Sequence, residues 1–209
     1  VKAAIEAGFH SYGISSHSPL PFETRWSLSK GNVEVYLTEI KRLQEKYAGQ
    51  IELYVGMEID YLNDDWGPAV EYFQRMPLDY RIGSVHLVTE EQTGEIMDMD
   101  GKFEDFRENL RMVFRDDLKY LVEAYFKASS RMVELGGFDF VAHLDKISMN
   151  GSLMDSTLTE QEWYNRLLWD YMSLIAKKGV MVEVNTKAYT KKGMMFPNVK
   201  YFKWLKELN

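Results

Sequence analysis

The 209-residue sequence contains no cysteine. That excludes disulfides, thiolate-held metals and cysteine nucleophiles together, so any metal must be held by His, Asp and Glu. Histidine is scarce as well, with four in the chain, which makes the position of each informative. No run approaches the ~18 or more apolar residues that a membrane helix needs. The start, Val1-Lys2-Ala3-Ala4-Ile5, has neither the basic flank nor the apolar core of a signal peptide. Basic residues are outnumbered, 25 Lys and Arg against 32 Asp and Glu, for a net charge of -7. This argues against a nucleic-acid partner, because phosphate backbones are held chiefly by clusters of Lys and Arg. Also absent are a Gly-rich phosphate loop, a nucleophile elbow and a GxGxxG segment.

What remains is an ordinary globular composition, 45% hydrophobic and 27% charged, which suits one well-buried domain spanning 1–209. A cytoplasmic setting with no membrane partner is the matching expectation. The oligomeric state is open.

Along the chain, helical and strand patterns alternate. Ser11–Ser16, Ile51–Val55, Tyr80–Val85, Phe138–Ala142 and Val180–Asn185 read as strands. Helical spacing covers 33–48, a short stretch near 67–75, and the long stretch 104–135, as two helices or one bent one. Further helices are expected from Thr159 to about Lys178, with Thr157 or Thr159 as N-cap, and over 198–208. Residues 90–102, broken by Gly94 and Gly101, read as a loop or small hairpin. Strands separated by helices imply parallel crossovers, hence an α/β sheet or barrel. Periodicity alone does not choose between them.

His17, Glu58, His86 and His143 each follow a strand segment. Active sites of parallel sheets and barrels gather at the carboxyl ends of strands, so these four groups are placed to converge. Imidazole and carboxylate are ligands that zinc, manganese and iron accept. His10 precedes its strand and is read as structural. Asn185, closing a strand on the same face, is a candidate for orienting substrate or a ligand. Arg25, Lys146, Lys187, Lys191 and Lys192 lie in the following loops, as phosphate contacts or as solvated surface charge. Asp145 follows His143. Glu183 either lines a polar interior or faces solvent. The pairs Asp64-Asp65 and Asp116-Asp117 are placed in a loop and a helix, away from the strand ends.

The segments Gly13-Ile14-Ser15-Ser16-His17-Ser18-Pro19, Gly56-Met57-Glu58-Ile59-Asp60-Tyr61, Asp79-Tyr80-Arg81-Ile82-Gly83-Ser84-Val85-His86, Gly137-Phe138-Asp139-Phe140-Val141-Ala142-His143-Leu144-Asp145 and Glu183-Val184-Asn185-Thr186 together resemble the polymerase-and-histidinol-phosphatase (PHP) superfamily, most closely its histidinol-phosphatase branch. The resemblance implies a distorted (β/α)7 TIM-like barrel holding up to three divalent metals (Zn, Fe or Mn). It maps metal ligands onto His17, Glu58, His86 and His143. Glu58, resembling a carboxylate that bridges two metals, and His86 are expected to carry catalysis. Arg25, Lys146, Asn185 and Lys187 are expected to contact a small phosphorylated substrate. The implied reaction is hydrolysis of L-histidinol phosphate to L-histidinol and phosphate in histidine biosynthesis. Alternatives within the resemblance are a phosphoesterase acting on nucleotides and a non-catalytic PHP module. The family's opening His-x-His and closing Asp-x-His strands have no counterpart here, so the expectation is a fragment, incomplete at both ends.

Overall fold

The structure is a computed structural model that describes residues 1–208; Asn209 and the side chains of Lys191 and Lys192 lie outside the described residues. Five parallel strands form the central sheet: β1 (Ser11–His17), β2 (Glu52–Asp60), β3 (Tyr80–Ser84), β6 (Phe140–Val141) and β7 (Met181–Val182), in the order β1-β2-β3-β6-β7. Each strand pairs with the next one of this sheet along the chain, and the order never reverses. A singly wound order of this kind is that of a barrel wall; an open doubly wound sheet reverses at a switch point. Among the described residues the wall is an arc that does not close.

The helices are α1 (Lys2–Glu6), α2 (Val33–Lys46), α3 (Glu71–Gln74), α4 (Phe103–Phe114), α5 (Leu118–Leu135), α6 (Ser148–Met154), α7 (Glu162–Lys178), α8 (Tyr189–Lys192) and α9 (Phe202–Leu208). A hairpin of β4 (Leu87–Thr89) and β5 (Ile96–Asp98) follows β3. Side chains on β2 alternate between two faces. Met57 and Ile59 are fully buried with Val33 and Phe73 beneath α2 and α3, while Glu58 and Asp60 point to the opposite, polar side. The largest core joins α4, α5 and α7 through Phe106, Leu121, Phe126, Tyr164 and Leu168.

Several sequence expectations are corrected. Glu58 does not follow its strand; β2 runs on to Asp60, because Gly56 is not a breaker. It leaves room for the Tyr80 ring, which a Cβ there would overlap. The stretch 104–135 is two helices. Arg115 and Asp116 take positive φ (55° and 64°) to end α4, and the Asp117 carboxylate caps α5 by accepting the Tyr120 N–H at 2.9 Å. The acidic pair therefore sits in a helix break, not inside a helix. Neither Thr157 nor Thr159 caps the following helix, which begins at Glu162 after Gln161. The Thr157 hydroxyl donates instead to Asp155 at 2.8 Å. Strands 138–142 and 180–185 shrink to two residues each; beyond β6 the His143 N–H turns to the Glu183 carboxylate, and beyond β7 Asn185 pairs with Phe196. Helix α6 was not expected from the sequence.

Candidate metal centre

Strand register brings the polar cluster together. His17 on β1 lies opposite Glu58 on β2, and Asp60 lies opposite Ser84. His86 and His143 stand just beyond β3 and β6. The His17 and His86 rings meet edge to face at 4.9 Å between centroids, as do those of His86 and His143 at 4.8 Å. Around Glu58, Oε1 lies 3.0 Å from His143 Nε2 and 3.6 Å from His86 Nε2, and Oε2 lies 3.7 Å from His17 Nδ1.

Asp60, to which the sequence reading gave no role, organises this group. Its Oδ1 accepts from His86 Nδ1 at 2.7 Å and from the His86 backbone N–H at 3.2 Å. That fixes the proton on Nδ1 and leaves Nε2 facing Glu58, the arrangement in which a metal-binding histidine is oriented by a carboxylate behind it. The signal was available, since two acids at i and i+2 on a strand share a face. Asp60 is fully buried, and its own N–H donates to Ser18 Oγ at 3.2 Å.

His143 takes a positive φ of 23°, a conformation costing about 1–3 kcal/mol for a non-glycine residue. Its N–H is held by Glu183 Oε2 at 3.1 Å, and Asn185 Nδ2 donates to both Glu183 oxygens at 3.2 Å. Glu183 thus faces inward as a support. Trp26 packs against His17 and His86 and donates through Nε1 to Asp98 at 3.2 Å, which anchors the loop after β1.

The electrostatics follow from these contacts. Burial alone would raise the Glu58 carboxyl, but the His143 hydrogen bond and the neighbouring His86, His143 and His17 rings hold it well below the usual carboxylate range. Burial lowers His17, and the anionic Glu58 and Asp60 offset this only partly. For His86, burial works downward but the Asp60 and Glu58 charges win, raising it to about 9.

The residues fit a divalent cation. Donor atoms from His17, Glu58 and His86 all lie within 4.8 Å of one another. The buried atoms His17 Nδ1, His143 Nδ1 and Asp60 Oδ2 have no hydrogen-bond partner, a cost that a metal or water ligand relieves. The donors are nitrogen and oxygen, as zinc, manganese and iron accept.

His17, Glu58, His86 and His143 line a cleft of about 350 Å3, whose lining also includes Asp100, Lys146, Met149, Asn185, Lys187 and Phe196. Three of the expected substrate contacts, Lys146, Asn185 and Lys187, line it. Arg25 is exposed and is not among the lining residues. His10 lies at the other end of β1, where its carbonyl accepts from Glu52 at 2.9 Å. Lys146 Nζ pairs with Asp100 Oδ2 at 3.1 Å. Asp100 also escaped sequence reading, because nothing in a loop's pattern says which side chain turns inward. No helix among the described residues is long and apolar enough to cross a membrane.

Known proteins share the sequence pattern and the fold. The sequence pattern of the PHP domain matches residues 1–187. The chain is 24% identical over 198 residues to a "Probable histidinol-phosphatase" of Deinococcus radiodurans, covering 91% of this chain and 66% of that protein. It is 23% identical over 211 residues to the histidinol-phosphatase of Bacillus subtilis, covering 91% of this chain and 74% of that protein. It therefore spans just under two thirds of the Deinococcus relative. Among crystal structures, the "putative histidinol phosphatase hisK" of Listeria monocytogenes superposes with a TM-score of 0.80 at 23% identity, covering 98% of this chain and 82% of the other. Histidinol phosphate phosphatase from Lactococcus lactis, complexed with zinc, L-histidinol and phosphate, gives 0.69 at 20% identity, with 99% and 73% covered. With a sequence match over most of its length and a shared TIM-like α/β fold, the chain belongs to the PHP domain family.

Proposed function

We propose that this chain is the PHP phosphoesterase domain of a metal-dependent phosphomonoester hydrolase acting on L-histidinol phosphate, in a cytoplasmic biosynthetic setting. The observation that carries the reading is the joint placement of a His/Glu metal centre and two lysines in one cleft of small-molecule size. The names of the Deinococcus and Bacillus relatives and the ligands of the Lactococcus structure support the substrate. The zinc there supports zinc among the metals here, with iron and manganese as the alternatives and up to three ions in the centre.

His17, Glu58, His86 and His143 are the groups that would hold the metal. Bound divalent metal supplies Lewis-acid stabilisation of phosphoryl charge and nucleophilic water near neutral pH. Glu58 stays ionised among its histidines and is the central anionic donor. Asp60 keeps the His86 proton on Nδ1, away from the cleft. Lys146 and Lys187 bring positive charge to the same cleft, where it would offset charge on the non-bridging oxygens. The described lining includes no serine or cysteine, which suits direct attack by water.

A substrate panel tests the reading. Metal-loaded protein is expected to release phosphate from L-histidinol phosphate with a kcat/KM well above that for nucleoside monophosphates. The reverse preference would assign it to a nucleotide-directed member of the same family. Failure to turn over any ester would favour a non-catalytic module.

A further inference from the structure

Asp100 is an anionic side chain on the wall of a cleft that, on the reading above, receives a phosphate dianion. Its position is built, not incidental. The Met99 N–H donates to the His86 carbonyl at 3.0 Å, Asn150 Nδ2 donates to the Met99 carbonyl at 3.3 Å, and Trp26 holds Asp98. These contacts clamp the end of the β4–β5 hairpin beside the histidine cluster.

The carboxylate itself is oriented. Oδ1 accepts the Gly101 N–H at 2.8 Å and Oδ2 pairs with Lys146 Nζ at 3.1 Å. An ionised carboxylate has roughly four acceptor sites, so capacity remains on a side chain still 32% exposed. For a plain phosphate ester that residual negative charge is repulsive. For an ester that also carries an ammonium group it is an acceptor. The Lys146–Asp100 pair therefore presents one positive and one negative group, complementary to a substrate with phosphate and amine on neighbouring carbons. Phe196 and Met149 supply apolar wall for the remainder of such a molecule.

We propose that Asp100 is the specificity-determining residue of this cleft, accepting a hydrogen bond from the ammonium group of an amino-alcohol phosphate ester while Lys146 beside it faces the phosphoryl group. The proposal rests on the phosphatase reading and adds to it a rule of exclusion: the same carboxylate that favours the amine-bearing ester disfavours esters without one.

The test compares Asp100→Asn with the unmodified metal-loaded protein on L-histidinol phosphate, its desamino analogue and p-nitrophenyl phosphate. A hydrogen bond between charged groups predicts a loss in kcat/KM on the amine-bearing ester about 10- to 100-fold larger than any loss on the other two. An equal loss on all three would overturn the proposal and reduce Asp100 to an anchor for Lys146. The unmodified protein gives an independent arm should the variant misfold. It is expected to prefer the amine-bearing ester over the desamino analogue by a similar factor, and equal turnover of the two overturns the proposal. Turnover of p-nitrophenyl phosphate alone would instead overturn the histidinol phosphate reading, and the proposal with it.

Discussion

Asp60 grips His86 at two points, the ring through Nδ1 at 2.7 Å and the backbone N–H at 3.2 Å, both on a single carboxylate oxygen. Asp60→Asn keeps the shape but removes the charge that fixes the ring proton. Loss of a carboxylate behind a metal-binding histidine typically costs about 10- to 100-fold in metal affinity. Competition with a chromophoric chelator is expected to show that loss in a folded protein; an unchanged affinity would deny Asp60 this role.

Glu58→Gln removes the anion at the centre of the cluster. We expect metal retention to fail and phosphate release to fall by roughly 100-fold or more, with the far-UV circular dichroism spectrum preserved. Full activity in the variant would remove Glu58 from the metal centre.

Tyr36 tests the scaffold apart from the chemistry. Its hydroxyl reaches the Ile14 and Gly56 carbonyls at 2.9 and 2.7 Å and accepts the Ser16 N–H at 3.3 Å, tying α2 to β1 and β2. Tyr36→Phe should cost about 1 kcal/mol of stability and leave metal affinity unchanged. Burial pushes this phenol from 10.0 up to about 12. The native state then holds a proton that the unfolded chain has lost, so this contribution is intact below pH 10.0 and disappears as pH rises through about 12. Denaturation midpoints taken across that window should fall less steeply in the Phe variant; an identical slope would contradict the burial account.

Gly13 and Gly56 make room for the Tyr80 ring between neighbouring strands, and Tyr80 stacks on Phe140 at 5.9 Å. Gly56→Ala is expected to destabilise by about 1–3 kcal/mol through overpacking. The same change in a Tyr80→Ala background should cost markedly less, because the overlapping ring is gone. Equal costs in both backgrounds, read from urea melts, would rule out the steric explanation.

The alternation of parallel strands with helices was legible, and so was the convergence of His17, His86 and His143, because parallel strands put chemistry at their carboxyl ends; the strand order was not. Glu58 was identified for the right cluster but at the wrong place in its strand. Gly56 looks like punctuation in sequence, whereas in three dimensions it answers to Tyr80, a contact 24 residues away in the chain. Asp60 was legible in principle from its i, i+2 relation to Glu58. Asp100 was not, since a turn residue acquires its direction from tertiary bonds such as that between Met99 and the His86 carbonyl. Arg25 is near His17 in sequence but exposed and outside the cleft lining, whereas its neighbour Trp26 packs against His17.

The most direct measurement is metal content by elemental analysis coupled to phosphate release from L-histidinol phosphate on the same sample. The account predicts divalent metal bound to the folded protein, activity lost on chelation, and activity restored by adding zinc or manganese. A folded protein that is strictly metal-free, or one whose phosphate release is indifferent to chelation, would contradict it.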